Sequence, residues 1–168
     1  MSDRELEAVR DEVNAGLRGS GWTRMRADER ATWLGPFVTA IALAVGSRTI
    51  EHLDSIVRFD EEGLFSANVI VFTDKTVVFA DAAGSTGTPE DVKSLVIARP
   101  RSGLTQLTIV GGAPAFGRGA EQWPGDFTVT AKWDNGAKVT FPLSPLEHDE
   151  QRRRFMALYT ALSAALGD

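Results

Sequence analysis

The chain has 168 residues and no cysteine, and 43% of its residues are hydrophobic. This length is enough for one domain with a real core, and the lack of cysteine excludes disulfides, thiolate nucleophiles and cysteine-ligated zinc. A net charge of −5 at pH 7 argues against a dedicated nucleic-acid binder. The charged residues after Met1 differ from the basic-then-apolar order of a secretory signal, so a cytoplasmic location is expected.

Two helices are predicted at the N-terminus. Ser2 and Glu5 have the spacing of a capping box, and the apolar stripe that follows ends at Gly19-Ser20-Gly21. The second helical stretch has a predicted break or kink at Gly35-Pro36. Its uncharged part, residues 33 to 46, has 14 residues and spans about 21 Å as a helix, short of the ~30 Å membrane core. We expect the rest of the fold, or a second copy of the chain, to bury it.

Seven β-strands are predicted after Arg48, where the apolar period changes to two. The second and third form a hairpin that pairs Phe72 with Val77 and is apolar on both faces, so the N-terminal helices or a dimer partner are expected to cover one face. Residues 83 to 91 and 111 to 125 are predicted as long exposed connections. The strands occupy about residues 50 to 59, 66 to 73, 76 to 82, 93 to 99, 103 to 110, 126 to 133 and 137 to 143.

The last two strands have the clearest register, because alternate residues are apolar on both sides of Asn135. A two-residue loop would put the two apolar rows on opposite faces, since a shift of one residue reverses every side chain. A three-residue loop, with Gly136 in the left-handed conformation as a bulge, pairs Trp133 with Ala137 and aligns the two rows. The sequence therefore predicts a bulged hairpin with Trp133 facing the core.

A C-terminal helix is predicted from Pro145 to about Leu166. Ser144 is its expected N-cap, Pro145 its first-turn proline and Glu147 the acid of its capping box. An apolar stripe that includes Phe155 is expected to face the sheet.

Seven strands followed by one amphipathic helix resemble the pleckstrin-homology (PH) superfold. The segment from Val69 to Phe79, in which an apolar strand reaches Thr73-Asp74-Lys75 before the next apolar strand, is similar to the second hairpin of bacterial PH-like and GRAM-like domains. The resemblance covers about residues 50 to 166. It implies an α+β chain in which residues 48 to 168 form a seven-stranded, partly open antiparallel barrel capped by the C-terminal helix. It also implies a binding or assembly module and no enzyme.

Two N-terminal helices, residues 1 to 47, are expected to pack on the sheet of this barrel as an extension. The familiar phosphoinositide ligands of the superfold are held by basic residues in and near the first inter-strand loop. Here that loop reads Asp60-Glu61-Glu62-Gly63, and its three acids repel phosphate. Phosphoinositide binding is therefore not expected.

Residue sets for catalysis or for binding a metal are not evident in the sequence. His52 and His148 are the only histidines, and no short spacing joins either to a second ligand. The acids beside His148 suit the first turn of a helix, and the loop from Gly84 to Thr88 lacks the lysine of a P-loop. No metal and no cofactor are expected, and a hydrolase or transferase is the least favoured class.

The main hypothesis is a non-catalytic module that binds a protein partner or itself, including as a homodimer. The alternative is a helix-grip or lipocalin-like protein that holds a small apolar molecule in a cavity. For the loop candidates, a tryptophan that folds back on the barrel edge is the favoured explanation. Solvated strand positions explain the basic candidates as well as a contact surface does. These candidates are Phe116, Arg118 and Trp123 in the second long connection, and Lys93, Arg99 and Arg101, which together with Lys132 and Lys138 lie on neighbouring strands and are expected to form a weak basic face.

Overall fold

The structure is a computed structural model that describes residues 2 to 112 and 126 to 166. Helices and antiparallel strands are both present, so the predicted α+β class is confirmed. The elements of this described part are α1 (Asp3–Gly16), α2 (Ser20–Ala27), α3 (Leu34–Val45), β1 (Ile50–Phe59), β2 (Leu64–Thr73), β3 (Thr76–Ser85), β4 (Thr88–Pro100), β5 (Leu104–Gly111), β6 (Phe127–Trp133), β7 (Lys138–Phe141) and α4 (Asp149–Ala165).

The described strands form two sheets, with the orders β1-β2-β3-β4 and β5-β6-β7. Their hydrogen bonds do not join all seven into one barrel, so the predicted barrel is not confirmed. The chain also divides into two compact units, Met1–Arg101 and Ser102–Asp168. The first unit holds the three N-terminal helices and the four-stranded sheet, and the second holds the three-stranded sheet and α4.

In the first unit the helices cover one face of the four-stranded sheet. Val13 of the first helix, Leu17 directly after it, and Phe37, Ile41 and Val45 of the third helix are almost completely buried. They share one apolar core with the sheet. The sheet contributes Ile50, Phe65, Ala67, Val69, Val71, Val78, Ala80 and Ala82 to this core.

Three helices precede the sheet, where two were predicted. The break lies between Ala27 and Leu34, because the carboxylate of Asp28 accepts the backbone N–H of Arg30 (3.0 Å) and competes with helical bonding. Pro36, the predicted break, lies in the first turn of α3, where proline removes no intrahelical hydrogen bond.

The predicted second hairpin is confirmed, since Phe72 pairs with Val77 and Val71 with Val78. The prediction of a long connection over residues 83 to 91 is wrong. β3 and β4 continue through it and pair as far as Ser85 with Thr88, which leaves only a short turn. The serine and threonine residues between positions 83 and 91 predict a loop, although threonine is also common in strands.

The second unit has the hairpin register that the sequence predicts. Ala131 pairs with Val139, and the N–H of Trp133 donates to the carbonyl oxygen of Ala137 (2.9 Å). Gly136 has a φ of +81°, and Trp133 is buried. The bulged hairpin with Trp133 facing the core is therefore confirmed.

We expect a Gly136→Ala variant to lose about 1 kcal/mol of unfolding free energy, because a side chain is disfavoured at positive φ. An added Cβ would meet no atom within 4 Å, so the loss reports backbone conformation alone. Denaturant titration measures it. Gly35→Ala is the matched control, since its Cβ also meets nothing and its site is helical. Equal stability of Gly136→Ala and the wild type would contradict the assignment.

An aromatic cluster holds α4 on the three-stranded sheet. The ring centroid of Phe155 lies 5.0 Å from that of Phe127 and 5.9 Å from that of Phe141. Tyr159 contacts Phe127 edge to face, at 5.6 Å. Such pairs add stability beyond the burial of their area.

None of the described helices has the length and apolar character that a membrane crossing requires.

The C-terminal helix begins four residues later than Pro145, the predicted start. Its first residue is Asp149, and the side-chain oxygen Oε1 of Gln151 accepts the N–H groups of Glu147 and His148, both at 3.1 Å. Gln151 thus does the capping that was predicted for Glu147. Residues 142 to 148 remain outside the helix, and those from Pro142 to Leu146 line the cavity described below.

Candidate functional site

The partner-binding residues predicted from sequence do not form one described cluster. Phe116, Arg118 and Trp123 lie outside the described residues. Lys93 is exposed on β4, and Arg99 is half-buried on the same face of that strand. Six residues of extended chain separate them by about 20 Å, so they do not make one compact basic patch.

Arg101 is bound within its own unit. Its guanidinium Nη1 donates to the carboxylate of Glu51 and to the carbonyl oxygen of Thr73 (2.8 Å), and its backbone N–H donates to the carbonyl oxygen of Lys75 (2.7 Å). These bonds connect the end of β4 with β1 and with the turn between β2 and β3. Arg101 therefore has a structural role, whether or not it also contacts a partner.

The acidic loop between β1 and β2 is ordered by its own first residue. The Oδ1 atom of Asp60 accepts the N–H groups of Glu62 (2.9 Å) and Leu64 (2.8 Å). Gly63 completes the turn with a φ of +79°. The absence of phosphoinositide binding remains a prediction, because the three acids of this loop repel phosphate.

The two histidines lie in different surroundings. His52 is buried on β1 near the ring of Phe72, at a centroid distance of 6.4 Å, and His148 is exposed at the N-cap of α4. Across residues 2 to 112 and 126 to 166, no three metal-ligating side chains come together.

Strand β5 forms one edge of the three-stranded sheet and is unusually open. Its sequence, from Leu104 to Gly111, contains neither a charge nor a proline. Ile109 is 50% exposed and Val110 is 58% exposed. Edge strands in native proteins are ordinarily protected by charges, prolines, bulges or short length. β5 has one of these, a register shift between Leu104 and Gln106, and the six residues from Gln106 to Gly111 that follow it pair regularly with β6.

The backbone groups on the open edge of β5 follow from the register. The N–H of Gly112 donates to the carbonyl oxygen of Asp126 (2.8 Å), and the same register pairs Ile109 with Val129. In an antiparallel pair, residues alternately direct their N–H and C=O groups toward the neighbouring strand and away from it. Gln106, Thr108 and Val110 thus bond to β6, whereas Leu107 and Ile109 direct their N–H and C=O groups to the open edge. The alternation ends at a register shift between Leu104 and Gln106.

The opposite edge of this sheet is protected. Strand β7 has only four residues, begins with Lys138 and is followed by Pro142. Short length, lysine and proline all discourage the addition of another strand. Among the described strands of this sheet, β5 is therefore the edge better suited to pairing.

A cavity of about 490 Å³, half open to solvent, lies beside the N-terminal half of α4 within the second unit. Phe127 from β6 and Phe155 from the helix form its apolar interior, together with Met156 and Leu146. One wall is the segment from Pro142 to Leu146. Two prolines in this segment fix φ at their positions, which stiffens the wall.

Charged groups lie at one side of the cavity. Arg152 and Arg153 are part of the lining, and so is Asp126, whose Oδ1 atom accepts a hydrogen bond from Arg152 (3.1 Å). Arg153 donates to Glu150, and hydrogen bonds from Arg154 and Arg153 hold the pKa of Glu150 below its ordinary value. The described part of the lining thus contains two cations, Arg152 and Arg153, and one anion, Asp126.

Sequence reasoning located neither feature, although a cavity for an apolar molecule was the alternative hypothesis. β5 was predicted as a strand, but its position at an edge depends on the strand order, and the only local signal was its lack of charge. The cavity was missed because the helix was predicted to begin at Pro145, which would have made one wall of the cavity helical.

No protein-family model matches the chain, and neither a curated protein nor a solved structure is similar enough to count as a match. Function is therefore inferred from the residues described above.

Proposed function

We propose that the chain is a non-catalytic, cytoplasmic assembly module of PH-like fold that pairs with a second copy of itself through β5. The order of seven strands followed by one helix supports the PH-like part of the proposal. The single observation that carries the assembly part is the uncharged, proline-free edge of β5. Pairing along such an edge is a common way for proteins to add a strand.

A second copy of the chain suits this edge better than a partner strand that is recognised through charged residues. Two copies related by a twofold axis present the same strand to each other, so any charge on β5 would lie near the same charge on the other copy. An uncharged strand avoids that repulsion. Antiparallel pairing of odd-numbered positions satisfies the open backbone groups of Leu107 and Ile109 on both copies and brings their apolar side chains together on one face.

We expect the wild-type chain to sediment at twice its monomer mass of 18.2 kDa. The test concentration is about 100 μM, well above a micromolar Kd. An Ile109→Pro variant should be a monomer, because proline removes an N–H that faces the open edge and leaves every bond to β6 in place. Analytical ultracentrifugation measures the mass.

Ile109→Val is the matched control for this prediction, since it keeps the N–H, the strand preference and an apolar side chain, and it should remain a dimer. Thermal melting of both variants checks that the second unit stays folded. A wild-type monomer at this concentration, or a folded Ile109→Pro dimer, would contradict pairing through β5.

The cavity beside α4 favours a second function, the binding of a small apolar molecule. Its volume of about 490 Å³ is within the range of small-molecule sites, and its interior side chains are aromatic and aliphatic. Ligand binding there is compatible with an assembly role, because the cavity and the open edge of β5 involve different residues.

A further inference from the structure

The apolar interior of the cavity favours a molecule with an apolar body. Phe155 is buried, and Phe127, Met156 and Leu146 are half-buried around the same space. Aromatic rings and a methionine offer flat and adaptable apolar contacts. An alkyl chain or an aryl ring that fills this space would remove apolar surface from water on both partners, which favours binding.

The charged side of the cavity favours a carboxylate on the same molecule. The side chains of Arg152 and Asp126 are 37% and 65% exposed, so their ion pair adds little stability and costs little to rearrange. A guanidinium has five N–H donors in a planar fork, and the hydrogen bond to Asp126 comes from Nη1. A carboxylate can therefore bind to Arg152 beside Asp126 or in its place, with the paired geometry that arginine favours.

We infer that this cavity binds a small organic acid that has an apolar body and one carboxylate, of the size of a medium-chain fatty acid. The apolar body lies against Phe127, Phe155 and Met156, and the carboxylate binds Arg152. Among the described lining residues Arg153 is already paired with Glu150, so the preference for an acid over an amine rests on the partly exposed guanidinium of Arg152. The inference rests on the second proposed function, ligand binding, and is independent of pairing through β5.

Calorimetric titration of the full chain with decanoate and with decanol, each below the concentration at which it aggregates, tests the inference. Both molecules have the same apolar chain, and only decanoate has a carboxylate. We expect one decanoate to bind per chain, with an affinity at least tenfold higher than that of decanol. Saturable binding of both with equal affinity would overturn the assignment of an acid and retain apolar ligand binding. Absence of saturable binding of either would overturn ligand binding itself.

Three variants locate the site. Arg152→Gln should lower decanoate affinity about tenfold and leave decanol unchanged, while Met156→Trp should fill the cavity and weaken both ligands. Arg154→Gln is the matched control, because Arg154 is on the same helix, bonds to Glu150 and is not part of the lining. Its decanoate affinity should equal that of the wild type. A decanoate affinity that is unchanged in folded Arg152→Gln would overturn the role of Arg152.

Discussion

A variant that lacks residues 1 to 47 is expected to lose the fold of the first unit and to aggregate. Phe37, Ile41 and Val45 are almost completely buried against the four-stranded sheet. Each such side chain contributes about 1.5 to 3 kcal/mol, so these three alone contribute about 5 to 9 kcal/mol. That is comparable to the whole stability of a small domain. Removal would also expose the sheet face from Ala67 to Ala82, a large apolar patch.

Light scattering and thermal melting measure this effect. A variant that lacks residues 1 to 8 is the matched control, because the first fully buried side chain of α1 is Val13. It loses the capping box of Ser2 and Glu5, which is worth about 1 kcal/mol, and should remain soluble. If the variant without residues 1 to 47 stayed soluble, with the oligomeric state and the Tm of the wild type, the three helices would be a detachable arm.

The hairpin at Gly136 shows what the sequence can predict. Alternation of apolar residues and the requirement for positive φ in the turn are local rules, and together they leave one register. The same holds for the capping box of α1, in which Ser2 and Glu5 bond reciprocally. Local rules failed where another part of the chain decides the outcome.

Gly21 illustrates such a failure. The sequence pattern assigned Gly19-Ser20-Gly21 to the end of a helix, yet Gly21 lies inside α2. A Cβ at this position would come within 2.8 Å of both the Cβ and the carbonyl oxygen of Val57 on β1. The glycine therefore permits a close approach between a helix and a strand that are far apart in sequence, and no local pattern contains that contact.

The candidate sites were less predictable than the fold. Sequence alone indicates that residues 103 to 110 form a strand, but only the strand order shows that β5 has an open side and β7 a protected one. The basic candidates were chosen for charge and neighbouring strands. The structure separates Lys93 from Arg99 along β4 and gives Arg101 partners within its own unit.

Arg101 is expected to contribute to stability, and an Arg101→Ala variant should lose about 2 kcal/mol of unfolding free energy. Its side chain is only 11% exposed, and it donates to Glu51 and to the carbonyl oxygen of Thr73. A hydrogen bond that involves a charged group contributes about 1.5 to 3 kcal/mol, and the exposure of Glu51, 38%, reduces the value of the ion pair. The loss corresponds to a Tm lower by about 4 to 8 °C.

Thermal melting of Arg101→Ala beside Lys93→Ala separates the two roles that a basic residue on β4 can have. Lys93 is exposed, so its removal should change stability by less than about 0.5 kcal/mol. An Arg101→Ala variant as stable as the wild type would mean that its bonds to Glu51 and Thr73 do not support the fold. If Arg101→Ala does lose stability, weaker partner binding by this variant would reflect its folding and not a lost contact. Lys93→Ala is then the informative test of a basic contact surface.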